Sequence, residues 1–126
     1  MTQDRPGSLS WPVDGAIIRR FGKGSGGENL GIDIAARAGT KVRAAAGGRV
    51  IYARAPTQAY GPLVIIDHGG RLHTVYSNLG ELSVKRGESV ESGHVVGTAG
   101  EKGTSPESHV HFEVRRNGDA VDPLLY

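Results

Sequence analysis

The 126-residue chain contains no cysteine, which excludes disulfides and thiolate metal sites. Aromatics are scarce, with one tryptophan, two phenylalanines and four tyrosines, and there is little excess charge of either sign, the net being +2. The basic residues are scattered, and Arg19, Arg20 and Lys23 form the only local cluster before mid-chain. A nucleic-acid binder needs a basic stripe interleaved with stacking aromatics, so that class is set aside. No window approaches the eighteen or so apolar residues of a membrane span, and "MTQDRPGSLSWP" lacks the basic, apolar and small-residue regions of an export signal. The length suits one globular unit. It is expected at 11–126, with residues 1–10 as a linker remnant.

Glycine, by contrast, is abundant, with twenty residues against one methionine and few helix-length apolar patterns. That combination predicts an all-β chain of short antiparallel strands and tight turns, arranged as a sandwich or barrel-sandwich. The clearest hairpin is "YGPLVIIDHGGRLHTVYSNL": an apolar run from Leu63 to Ile66, a turn at Gly69 and Gly70, and a return strand through Val75. A run apolar on both faces is expected inside the sandwich. Further strands are predicted over Ala16 to Phe21, Lys41 to Ala45, Arg49 to Ala53, Val95 to Ala99 and His109 to Arg115. "VKRGESVESGHVVG" shares its glycine and valine spacing with lipoyl and biotinyl carriers. Those carriers need a lysine at a hairpin tip between apolar neighbours, a setting that Lys41, Lys85 and Lys102 lack.

Within "SHVHFEV", His109 and His111 are two apart on a predicted strand and so share a face, which Glu113 and Arg115 continue. An isolated His-x-His is more often a solvated polar strand than half a metal site. Here it comes with "NLGID", "GIDIAARAGTKVRAAAGGRVIYA", "YGPLVIIDHGG", "YSNL" and "HVHFEVRRNGDAVDP". With these motifs in order, the chain resembles the LytM, or lysostaphin-type, peptidases across residues 12 to 125.

The resemblance implies a compact LytM domain with a surface groove. In that family an H-x-x-x-D motif gives a histidine and an aspartate to zinc, and the second histidine of H-x-H completes the ligands. The first histidine of H-x-H and one in a Y-x-H-L motif assist the metal-bound water. Residue by residue, Asp33 and His111 match ligands and His109 matches a catalytic histidine. Asn29 stands where the ligand histidine is expected, and Asn78 where the second catalytic histidine is expected. A neutral amide is a poor zinc donor. The other histidines offer no replacement: His73 is an odd number of residues before Asn78 and so is expected to face away from the site, while His68 and His94 read as surface residues.

The five positions Asn29, Asp33, Asn78, His109 and His111 are therefore expected to form a vestigial site, with no metal, no cofactor and no catalytic residue. Degenerate members of the family, the EnvC and NlpD group, activate periplasmic N-acetylmuramoyl-L-alanine amidases during septal cell-wall splitting. The resemblance implies that role here, with an amidase as partner. In the binding groove the residues themselves point to Tyr60, a loop aromatic before Gly61 at the start of the buried run, and to His111 and Arg115, which share one strand face. "WPVDGAIIRRFG", "VYSNL" and "VDPLLY" favour the EnvC-like branch. The expected location is the periplasm or cell envelope, the chain being read as the excised end of a longer exported protein. A peptidoglycan-binding module and a slow zinc endopeptidase are the alternatives.

Overall fold

The computed structural model describes residues 9–24, 27–54, 62–101 and 108–126. The strands run in the order β1 (Ile17–Arg19), β2 (Gly22–Gly24), β3 (Gly27–Asn29), β4 (Ile32–Ala35), β5 (Lys41–Arg43), β6 (Gly48–Arg54) and β7 (Leu63–Asp67). They continue with β8 (Leu72–Ser77), β9 (Leu79–Leu82), β10 (Ser89–Val90), β11 (Val95–Ala99), β12 (His109–Arg116) and β13 (Asp119–Val121). A 3-10 turn, Pro123–Leu125, follows, capped by Asp122. The large sheet has the order β1-β4-β12-β8-β7-β6-β10 with β13 beside β12, and a three-stranded sheet has the order β5-β11-β9. β2 and β3 make a separate ribbon. All pairings are antiparallel.

Strand alternation divides the large sheet into two faces. On β12, Val110, Phe112 and Val114 are buried; on β8, Thr74 and Tyr76; on β4, Ile32 and Ile34. These pack with Val42, Leu79, Val96 and Ala99 of the smaller sheet in one apolar cluster. Each fully buried aliphatic side chain contributes about 1.5–3 kcal/mol. The Tyr76 and Phe112 rings meet at 5.4 Å in a tilted arrangement that adds specificity to adjacent strands. The opposite face carries His109, His111, Glu113 and Arg115 from β12 and His73, Val75 and Ser77 from β8.

Several expectations change in detail. Leu63 to Ile66 was expected to be buried on both faces, yet Val64 and Ile66 enter the core while Leu63 and Ile65 are half-buried and line a pocket. Residues 16–21 do not form one strand: β1 ends at Arg19, and Gly22, at a positive φ of 105°, starts the ribbon. The strand from Lys41 stops at Arg43, and Ala44 and Ala45 are buried beyond its end. Fold contacts begin before the expected domain boundary, since Leu9 packs on the core and the Ser10 N–H donates to the Ala45 carbonyl at 2.8 Å.

Candidate functional site

Three neighbouring strands set the site. β12 lies between β4 and β8, with His111 opposite Asp33 on one side and Ser77 on the other. Directly opposed side chains in an antiparallel pair are within reach of each other, and the His111 ring and the Asp33 carboxylate meet at 2.7 Å. The approach to β4 depends on Gly31, because a Cβ there would lie 2.1 Å from the Phe112 carbonyl oxygen. Only glycine lets the turn after Asn29 come this close to β12.

The polar side chains form an alternating ladder. Arg19 Nη1 lies 3.6 Å from Asp33 Oδ2. His111 Nδ1 donates to Asp33 Oδ1, and His111 Nε2 donates to Glu113 Oε2 at 2.8 Å. Glu113 Oε1 then accepts from Arg115 Nε at 2.9 Å and Nη2 at 2.8 Å. Ionised carboxylates accept only, so both ring nitrogens of His111 carry protons and the ring is an imidazolium. Burial alone would lower the His111 pKa, but the Asp33 and Glu113 hydrogen bonds and charges outweigh it and raise it to about 9. Burial would likewise raise both carboxyls; His111, with His109 and Arg19 at Asp33 and Arg115 at Glu113, instead holds them below their ordinary values.

This donor set does not fit zinc. The ion binds imidazole through a ring-nitrogen lone pair, and His111 has both nitrogens committed to carboxylates. Asn29, 5% exposed, turns its Oδ1 to accept from the Gly31 N–H at 3.2 Å. Among the described residues, no group of three or more histidines, aspartates or glutamates is placed to hold a metal ion.

Asn29, Asp33, His109 and His111 all line one pocket of about 990 Å³, together with Arg115. Asn78 is not among its lining residues. It sits between β8 and β9 at a positive φ of 61°, and its Nδ2 donates to the His109 carbonyl at 2.7 Å, fastening that corner to β12. This conformation also overturns the expectation for His73. Parity counted back from Asn78 fails because Asn78 is not extended, and His73 faces the pocket with Val75 and Ser77. Tyr60 lies outside the described residues. Glu113 acts as the sequence suggests, orienting its neighbours: it holds both His111 and Arg115. Leu63, Ile65, Ile51 and Val75 add an aliphatic wall, of which Leu63 and Ile65 were expected inside the sandwich.

His94 is exposed, as expected. His68 is not a plain surface residue: its Nδ1 donates to the Gly47 carbonyl at 2.8 Å and its Nε2 meets Thr74 Oγ1 at 2.7 Å. Thr74 Oγ1 and the Tyr76 hydroxyl are 2.7 Å apart, and that hydroxyl accepts from the Ala45 N–H at 2.9 Å.

The profile of peptidase family M23 matches residues 27–123. A lipoprotein NlpD/LppB homolog of Pseudomonas aeruginosa is 42% identical over 120 residues, covering 95% of this chain and 40% of that protein. The murein hydrolase activator NlpD of Escherichia coli is 40% identical over 116 residues, covering 92% of this chain and 30% of its own length. The chain thus spans well under half of these relatives, which carry the NlpD designation rather than that of the EnvC-like branch. Among solved structures, a zinc containing peptidase from Vibrio cholerae superposes with a TM-score of 0.81 at 30% identity, covering 91% of this chain and 39% of that one. With the family match running through β4, β12 and the whole polar row between them, the chain belongs to peptidase family M23 as a LytM-type domain.

Proposed function

We propose that this LytM domain is non-catalytic and activates a periplasmic N-acetylmuramoyl-L-alanine amidase in the cell-wall splitting that accompanies division. The observation that carries this reading is His111, whose two nitrogens are both spent on Asp33 and Glu113. Hydrolysis on this fold requires a polarised water at a metal with an open position, and a closed ladder of ion pairs supplies neither. The names of the NlpD relatives support the same reading, one as a murein hydrolase activator and one as a lipoprotein, and favour the cell envelope as the site of the proposed action.

The pocket suits a partner segment better than a reaction. Its aliphatic side buries side chains without chemistry, and its polar side, with Arg115 about one-third exposed, offers a guanidinium at the rim. Asn29, Asp33, Asn78, His109 and His111 are read as the remains of the peptidase site. His111, Arg115 and Tyr60 are the proposed contacts with the amidase.

A paired assay tests the reading. The purified chain is expected to release nothing from peptidoglycan by itself, to hold no stoichiometric zinc by elemental analysis, and to accelerate release when a cognate amidase is added. Arg115→Ala should reduce that acceleration, an arginine anchor being worth more than about 1 kcal/mol of binding. Peptidoglycan cleavage by the chain alone, abolished by a chelator, would overturn the proposal.

A further inference from the structure

Among the described residues, Asn29 Nδ2 is the one buried side-chain nitrogen or oxygen without a hydrogen-bond partner. Its orientation is fixed. The Gly31 N–H is a donor and requires Oδ1 on its side, so turning the amide over would set donor against donor. The nitrogen left behind carries two protons and belongs to a residue that lines the pocket. Buried polar atoms are rarely left unpaired, and each exception asks for an explanation.

The surroundings limit what can pair with it. Asp33 is already engaged by Arg19 and His111, and Glu113 by His111 and Arg115, so neither carboxylate is waiting for a donor. Charges along the pocket are balanced: Arg19, His111 and Arg115 are offset by Asp33, Glu113 and Glu28. A second carboxylate beside Asp33 would meet a like charge without a spare cation. A neutral acceptor meets no such penalty. Nδ2 is closed to solvent here, and of the side chains lining the same pocket Leu30, 42% exposed and outside the ion-pair ladder, is the one placed to turn aside.

We infer that Asn29 is the reading head of a subsite for a neutral amide carbonyl oxygen, supplied by the segment of the partner protein that docks along the aliphatic wall. The inference rests on the proposed activator role and specifies the chemistry of its contact. The position that the resemblance assigns to a metal ligand thereby becomes a hydrogen-bond donor to peptide.

The test uses the chain with each purified N-acetylmuramoyl-L-alanine amidase of the source organism. Asn29→Asp keeps the Oδ1 acceptor for Gly31 and removes both donors, and Asn29→Ser keeps a smaller acceptor without adding charge. Both variants are expected to bind the amidase about tenfold more weakly, the loss of one good hydrogen bond; thermal unfolding should be unchanged in Asn29→Ser and lowered in Asn29→Asp, whose buried carboxylate meets the like charge of Asp33. In the wild-type chain the Asn29 side-chain NH2 resonances should move downfield and exchange more slowly with solvent when amidase is added. Wild-type affinity in both variants with an unmoved NH2 signal, while Arg115→Ala weakens binding, would overturn the subsite and leave the activator reading intact. If Arg115→Ala also binds normally, the subsite and the pocket as docking site fall together. An NH2 shift with purified muropeptides but not with amidase would also overturn it, by identifying peptidoglycan as the occupant.

Discussion

His111 and His68 are two half-buried histidines whose rings are each held at both nitrogens, and they have opposite chemistry. His111 lies on the pocket face between two carboxylates, and its pKa is raised to about 9. His68 reaches the core-facing Thr74 from a loop; burial lowers its pKa, against the raising effects of the Gly47 carbonyl and Asp67. The order of donors along the His68 chain follows from its ends. The Gly47 carbonyl can only accept, so Nδ1 holds the proton, Nε2 accepts from Thr74, Thr74 accepts from Tyr76, and Tyr76 accepts from Ala45. Burial pushes the Tyr76 hydroxyl up to about 12 despite the Ala45 and Thr74 hydrogen bonds. Degree of burial therefore does not decide whether a histidine in this fold is charged; the formal charge of its partners does.

The contrast breaks most completely at Asp33. Asp33→Ala would leave the His111 imidazolium half-compensated beside a buried gap, and should destabilise the domain by about 3–5 kcal/mol in chemical denaturation. The same change should return the His111 titration towards that of an ordinary histidine. An unchanged midpoint in both measurements would refute the ladder.

A smaller effect comes from pH, and the two histidines should act with opposite sign. The folded His111 pKa lies above the unfolded value near 6.5, so its contribution is fully present below about 6.5 and is lost as pH rises through about 9. The loss should be on the order of 3 kcal/mol, shared with Asp33 and Glu113 as one cluster. His68 has a lowered folded pKa, so its contribution is present above the unfolded value and is lost as pH falls through the folded one. Imidazole NMR titrations resolve the two directly, and a common midpoint would erase the comparison. Smallest is Thr74→Val, which keeps the buried shape, leaves His68 Nε2 and the Tyr76 hydroxyl each short of a partner, and should cost about 1–3 kcal/mol without moving the His111 titration.

The sequence made the core easier to read than the site. Alternation along "HVHFEVRR" places Val110, Phe112 and Val114 inside and the polar row outside, as observed, and the Gly69-Gly70 turn fixes the hairpin. β4 escaped because its charge, Asp33, is buried within the apolar "IDIA". The His73 error arose from one left-handed residue, Asn78, which shifts strand parity and leaves no mark in composition. Glu113 was legible as a neighbour of His111, but its choice between solvent and His111 is a matter of rotamer and register. The His68 chain was hidden because it ties residues 45–47 to the β7–β8 hairpin, 21 and 31 residues further along at its two ends.

The close approach at Gly31 has a consequence in genetics. Any larger residue there must drive back the Phe112 carbonyl, and with it the strand from which His109, His111, Glu113 and Arg115 all project. Gly31→Ser should therefore destabilise the domain and disorganise the pocket together, seen as a lowered unfolding midpoint. In a genetic screen it would score as loss of the pocket's function although the altered residue carries no group that acts there.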